Sequence, residues 1–379
     1  MDEQLWEKAY NKKKVAVIHE FKQFLLQIKP EMSLLTVGPE DLVRFLVWKD
    51  RTGKTQIHKV SCQFLGNKSI QSCGCPIRMA SGTVSNVIAH LRSFFMMLGR
   101  GTTWSAQQSY GNPASAPQVR EYLLSIKDEQ AMAHIVPHQA QPLFLEKLIH
   151  LCKFWANELA GYLSRAQRFV ILRDRAFFTL QFFAGDRAND LSFLAGQSIK
   201  VLPEGSGLYL QLTYGKQWKG DYHNDFIVTS QKDQLVCPVT ALRNYVDWAR
   251  FLGADLSKGY VFRLVSRSGE ITAQRMNYDV AYKQLKMYLR VLGIDNGETP
   301  HGIRAGSSIS LLASGASQED IMAHIGWRSP ATYSHYTRQT VSQSKQAMDM
   351  LSSYVEEKKQ PGSSGQVYYD GSSFKSFFP

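Results

Sequence analysis

The stretch from residue 296 to residue 338 is punctuated so tightly that it admits little besides short helices meeting at sharp turns. Thr299-Pro300 sets a capping residue before a proline, whose missing amide is not needed in a first helical turn, and that helix is expected to end near Gly315. Ser317-x-x-Asp320 resembles a capping box with Asp in place of Glu, opening a short helix that stops at Gly326. Ser329-Pro330 starts a further helix carrying Tyr333, His335 and Tyr336. His301 and Arg304 lie three residues apart at the first of these N-termini, so their side chains share a face. A helix N-terminus already favours anions through its unpaired amides and dipole; an added imidazole and guanidinium make it a phosphate site.

The rest of the chain divides by period. Val15, Val17, Ile18, Phe21, Phe24, Leu25 and Ile28 recur at helical spacing over residues 12–29, and Pro30 closes that helix. Further helices are expected at 39–46, 83–98 and 117–133, with a turn at Asp50 to Gly53 and an end at Val136-Pro137. A second, larger unit begins near Gln139, with helices over 143–159, 169–184, 239–251 and 278–292. Leu208 to Tyr214 alternates as a half-buried strand does, and Asp225 to Thr229 reads as its partner, leaving residues 215–223 as the tip between them. The predicted fold class is mainly α with a small antiparallel β-sheet. Its predicted domains are a helical unit over 1–137, a larger unit over 138–346, and a C-terminal helix end with a Gly-, Ser- and aromatic-rich flexible tail over 347–379.

At 379 residues, with 44% hydrophobic side chains, the chain has material for more than one packed core. Its 44 lysines and arginines against 32 acids give a formal charge of +12, which favours a polyanionic partner, nucleic acid ahead of a membrane surface. No run approaches the about 18 uncharged apolar residues of a membrane span, and Met1-Asp-Glu-Gln-Leu-Trp-Glu carries acids where a signal peptide needs basic residues. Five cysteines, an odd number, argue against a secreted disulfide framework. These readings predict a soluble, intracellular chain. Cys152 and Cys237 sit in apolar stretches and read as core thiols. His58-x3-Cys62 with Cys73-x-Cys75 offers the four nitrogen and thiolate ligands of a structural zinc, or else three reduced cysteines beside a surface histidine.

Other candidates for chemistry precede His301. Gly185-Asp-Arg187-Ala-Asn-Asp190-Leu191 places an arginine just past an apolar helix, with an acid three residues on. Lys216 and Lys219 occupy the tip between the two strands, and Trp327 follows Ile325-Gly326 nine residues before Tyr336. Taken singly, each has a bland reading as surface ion pair, loop charge or core aromatic. Their joint order does not.

That order and spacing resemble the tyrosine recombinase (integrase) family. Glu298-Thr-Pro-His-Gly-Ile-Arg-Ala-Gly, Ile321-Met-Ala-His-Ile-Gly-Trp, Tyr336-Thr-Arg, Cys237-Pro-Val and Cys75-Pro-Ile-Arg-Met-Ala-Ser-Gly-Thr-Val are most similar to the crypton-type recombinases of eukaryotic mobile elements. The resemblance covers roughly residues 10–345. It implies a helical core-binding domain, a tyrosine recombinase catalytic domain, and cleavage and rejoining of double-stranded DNA through a 3′-phosphotyrosyl link. Tyr336 would be the nucleophile, Arg187, His301, Arg304 and Trp327 would hold the scissile phosphate, and Asp190 would support Arg187. Lys216, with Lys219 as the other candidate, would protonate the leaving 5′-oxygen. His324 competes with Trp327 for its position but lacks the nine-residue spacing to Tyr336. The N-terminal unit would touch phosphates through Lys12, Lys13, Lys14, Arg78 and Arg92.

The resemblance further implies no cofactor for catalysis, no small-molecule substrate, a tetramer on DNA whose helix near 340–356 docks on a neighbour, and a nuclear location. Two rival readings keep DNA as partner: a catalytically idle DNA-binding descendant of a recombinase, and a type IB topoisomerase-like strand-passage enzyme. A structural or protein-interaction module fits the charge and the phosphate-ready helix poorly.

Overall fold

The structure is a computed structural model that describes residues 12–31, 33–135, 141–212 and 224–337. It separates into two compact units, Met1–His138 and Gln139–Pro379. No described helix is long and apolar enough to cross a membrane.

The first unit is built on helices α1 (Lys12–Ile28), α2 (Pro39–Asp50), α3 (Ser81–Met97) and α4 (Pro117–Met132), joined by the two-residue strands β1 (Thr55–Gln56), β2 (Ile77–Arg78), β3 (Trp104–Ser105) and β4 (Tyr110–Gly111). The apolar stripes read from the sequence are the ones buried: Phe21 and Phe24 of α1, Phe45 of α2 and Leu91 and Phe95 of α3 close one core, with the Phe21 ring edge-on to both Phe45 and Phe95. Helix α2 runs to Asp50, past the expected Leu46, because the Asp50 carboxylate is buried and accepts the Met79 amide at 2.7 Å. The pairs β1–β2 and β3–β4 are not legible in the sequence, since two residues carry no period.

The second unit contains α5 (Leu145–Ala160), α6 (Arg165–Ala184), α7 (Ala188–Leu191), β5 (Ile199–Val201), β6 (Gly207–Leu212), β7 (Asn224–Thr229), α8 (Pro238–Phe251), β8 (Arg263–Val265), β9 (Ile271–Arg275), α9 (Tyr278–Val291), α10 (Pro300–Ala313), α11 (Gln318–Ile325) and α12 (Pro330–Thr337). Helix α6 is its axis and is buried on nearly every side. Even its charged residues are covered: Arg173 pairs with Asp174 at 2.7 Å, the Tyr288 hydroxyl donates to Asp174 at 2.8 Å, and Arg175 donates to the Leu235 carbonyl. Ser164 and Gln167 form a capping box ahead of the expected start, which lengthens α6 by a turn.

The antiparallel sheet has three strands in the order β5-β6-β7, with Leu210 opposite Phe226 and Leu208 opposite Val228 on its buried face. Only β6 and β7 are expected from the sequence; β5 and the hairpin β8–β9 are short, mostly half-exposed, and show no clean alternation. Helix α10 is packed unusually closely by the segment ahead of α5. A Cβ on Gly306 would lie 1.8 Å from the Leu143 carbonyl oxygen, so only glycine fits there.

Candidate active site

Three chain segments converge to make the site. The first is the exit from α6, where Gly185 takes a left-handed conformation (φ 59°) that reverses the chain. A side chain there would also strike Ile325, since an added Cβ would sit 2.8 Å from its Cγ1. Two residues on, Arg187 is the N-cap of α7, and its guanidinium pairs with Asp190 at 3.3 Å. Its side chain keeps 22% of its surface exposed, so it can still reach a ligand.

The second segment is the first turn of α10. Thr299 stands at the N-cap position, but its hydroxyl makes no capping bond to the helix; Pro300 follows as expected. His301 is exposed at this N-terminus, whereas Arg304 is 1% exposed. Arg304 donates to the Gly185 carbonyl at 2.7 Å and the Ile325 carbonyl at 3.4 Å, and lies 3.7 Å from the Asp186 carboxylate. Burial, and then the nearby Arg187 charge, pull its pKa down to about 10, which leaves it protonated at neutral pH.

The third segment runs from α11 into α12. Ser317 caps α11 by accepting the Asp320 amide at 3.0 Å, and Gly326 ends it in a left-handed turn. Trp327 is then buried, with its ring 5.2 Å from the Arg304 guanidinium and stacked on Tyr336 at 4.9 Å. The Tyr336 hydroxyl shares a 2.7 Å hydrogen bond with Nε2 of His301, and its ring lies 5.7 Å from the Arg304 guanidinium. Tyr333, one turn earlier, is 2% exposed and packs with Ile321, Ile325 and Trp327 in a small core of its own. The two tyrosines are thereby separated: one is core, the other faces His301. His324 points elsewhere, with its ring Nε2 2.8 Å from the Phe183 carbonyl.

Arg187, Asp190, His301, Arg304, Trp327 and Tyr336 thus come from distant parts of the chain into one site. Lys216 and Lys219 lie outside the described residues. Two buried donors of the site have no protein partner, the Trp327 indole N–H and Nε–H of Arg304. Buried N–H groups are seldom left unmatched, so these mark where acceptor oxygens would go. Sequence reasoning missed Asp186, buried at 3% exposure, whose carboxyl is pushed up to about 7 by burial. Its one visible signal was an acid set between the turn glycine and Arg187.

A second constellation lies in the first unit. His58, Cys62, Cys73 and Cys75 bring one ligand atom each within 4.8 Å of one another. Nδ1 of His58 is 3.5 Å from the Cys62 sulfur and 3.3 Å from the Cys73 sulfur. Bonds of about 2.1 and 2.3 Å in a tetrahedron separate ligands by roughly 3.5–3.8 Å, so one small shift admits a zinc ion. The Cys75 thiol is drawn down to about 7, first by the Lys59 backbone amide and then by the His58 ring, which favours the thiolate a metal needs. Of the expected phosphate contacts, Lys12, Lys13 and Arg92 are exposed, while Lys14 donates to Ser93 at 2.8 Å. Arg78 is half-buried between Asp50 (3.4 Å) and Glu129 (3.6 Å).

Residues 4–128 match the model of the ALOG domain, and residues 171–343 that of the phage integrase family. The chain is 34% identical over 119 residues to Protein LIGHT-DEPENDENT SHORT HYPOCOTYLS 5 of Arabidopsis thaliana, a match spanning 31% of this chain and 62% of that protein. Protein G1-like7 of Oryza sativa subsp. japonica is 34% identical over 120 residues, spanning 31% of this chain and 53% of that one. The chain therefore spans between about half and three-fifths of these relatives' length. Among solved structures, XerH site-specific recombinase bound to a palindromic difH substrate aligns over 90% of this chain and 79% of its own, with TM-score 0.53 and 14% identity. The Tn1549 transposon integrase in complex with transposon right end DNA aligns over 86% and 88%, with TM-score 0.51 and 12% identity. Identities this low speak for the fold.

Proposed function

We propose, for a chain whose second unit carries a phage integrase (tyrosine recombinase) domain, that it is a site-specific DNA recombinase acting through a covalent bond between Tyr336 and a 3′-phosphate. One observation carries this reading: the Tyr336 hydroxyl is bonded to His301 while its ring lies against Trp327 and over the buried Arg304. A tyrosine hydroxyl, with a pKa near 10, is a weak nucleophile at neutral pH unless a base or a cationic field assists it. Here the imidazole accepts or relays its proton as the oxygen attacks, and two guanidinium groups lie where negative charge develops on the phosphate.

The steps follow from these atoms. The scissile phosphate sits where Arg187, Arg304 and the Trp327 N–H converge, its non-bridging oxygens taking the unpartnered donors. The Tyr336 oxygen attacks phosphorus, the bond to the 5′-oxygen breaks, and that oxygen takes a proton, for which Lys216 is proposed and Lys219 is the alternative. The reverse attack by a 5′-hydroxyl of another strand rejoins DNA without ATP, since the phosphotyrosyl bond conserves the energy of the broken one. The arginines supply the charge stabilisation of the transition state, and the protomers act as a tetramer on two DNA segments.

The first unit is proposed to grip DNA phosphates through Lys12, Lys13, Lys14 and Arg92, with Arg78 bracing β2 against Asp50 and Glu129. His58, Cys62, Cys73 and Cys75 would hold a structural zinc that knits its long loop. Given a DNA partner and the resemblance to eukaryotic elements, the expected site of action is the nucleus. The reaction is tested with nicked suicide DNA substrates on denaturing gels. Native protein and Tyr333→Phe are expected to form a covalent adduct and Tyr336→Phe none. Tight, salt-sensitive binding with no adduct would instead establish the idle DNA-binding reading.

A further inference from the structure

We propose that Asp186 is a positioning residue of this site, its buried carboxylate holding the Arg304 guanidinium where it meets the scissile phosphate. The inference rests on the recombinase reading above and adds a residue to it. Arg304 is gripped by two carbonyl oxygens, of Gly185 and Ile325, and by one carboxylate, Asp186 at 3.7 Å. Two neutral carbonyls already accept hydrogen bonds from this guanidinium, and burying a carboxylate costs free energy that a neutral side chain would avoid. The other oxygen of Asp186 is buried and has no hydrogen-bond partner, so ionising this carboxyl carries a cost.

The backbone around Asp186 has anchors besides its carboxylate, which itself takes a hydrogen bond from the Arg187 backbone. The Asp186 amide donates to the Gln181 carbonyl at 3.2 Å, and the Gln181 side-chain amide bridges the Asp186 carbonyl (3.2 Å) and the Pro300 carbonyl (2.7 Å). That bridge ties the α6 exit to the start of α10 independently of the carboxylate. What the carboxylate does hold is a charge relation. Arg187 and Asp190 face it from α7 and Arg304 from α10, while His301 and Tyr336 border the same site from α10 and α12. With Arg187 already paired to Asp190, the carboxylate of Asp186 is the counter-charge left for Arg304 among the described residues.

The test replaces the charge and keeps the shape. Asp186→Asn in the full chain is compared with native protein for DNA affinity, single-turnover cleavage of a suicide substrate between about pH 6 and pH 8, and the Nε–H signal of Arg304 in nitrogen-15-labelled arginine spectra. We expect affinity within about twofold, a melting temperature within roughly 2 °C near neutral pH, and cleavage slowed about tenfold or more. The native rate should rise with pH through the titration of Asp186, and the variant should lose that part of the profile. Cleavage within about threefold of native together with an unmoved Arg304 signal would overturn the proposal. If the variant fails to fold, the native Arg304 signal decides alone: a shift across this pH range supports the proposal and its absence refutes it. If native protein forms no adduct, the recombinase reading falls separately, and the Arg304 signal still reports whether Asp186 fixes that arginine.

Discussion

At Trp327 the indole ring does two things that substitution can separate. Its face packs on Tyr336 and lies near Arg304, and its N–H is buried without a partner. Trp327→Phe keeps most of the packing and deletes the donor, so single-turnover cleavage should fall roughly 10- to 100-fold with DNA affinity nearly unchanged. A parallel loss of affinity would make Trp327 a packing residue. Asp186 makes a pH prediction of its own. Burial raises its pKa in the folded chain to about 7, above the unfolded value, so the folded state holds a proton that the unfolded state has released. Its contribution to stability is therefore favourable at low pH and is lost as pH rises toward 7. Denaturant midpoints of Asp186→Asn should gain on native between about pH 5 and pH 8; a constant difference would contradict the buried charge. His301, Arg304, Trp327 and Tyr336 could be singled out together because their order and spacing resemble those of a known family. Asp186 could not, because its role comes from a contact with Arg304 across 118 residues, which no local period encodes.

Helices with long apolar stripes were legible to within a turn, as α1, α3 and α9 illustrate, because one wet face and one buried face impose a 3.6-residue period. Helix α6 starts earlier than its apolar run suggests, because Arg165 to Arg168 interrupt that run although Ser164 and Gln167 cap the helix. Strand β5 and the β8–β9 hairpin were missed because neither buries a clean face. At this scale α10 is the element to probe. Gly306 lets the Leu143 carbonyl approach the helix that carries His301 and Arg304. Gly306→Ala should cost about 2 kcal/mol or more of stability in chemical unfolding and depress cleavage further by displacing Arg304; a neutral effect would show that the 141–143 segment yields freely. The loop between β1 and β2 offers a second test. Cobalt(II) added to metal-free native protein should give the absorption of a tetrahedral thiolate site and raise the melting temperature by about 5 °C, and Cys73→Ser should abolish both. An unchanged spectrum would leave the three thiols as reduced cysteines.

Across the whole molecule, the proposed partner rests on charge and the proposed chemistry on the second unit. With the proposed phosphate grip, a +12 chain should bind DNA with an affinity that falls steeply with salt. Replacing Lys12, Lys13 and Lys14 by alanine should flatten the log–log slope by up to about 2.7, near 0.9 for each phosphate that is no longer neutralised. An unchanged slope would place the grip elsewhere on the first unit. The cores on either side of residues 136–140 each close on their own apolar residues. The most direct test of the central claim is the identity of the residue joined to DNA. Adduct from a suicide substrate, digested with nuclease and protease, should yield by mass spectrometry one nucleotide-bearing peptide with the 3′-phosphate on Tyr336. A nucleotide on Tyr333, on a serine, or on a 5′-phosphate would contradict this account.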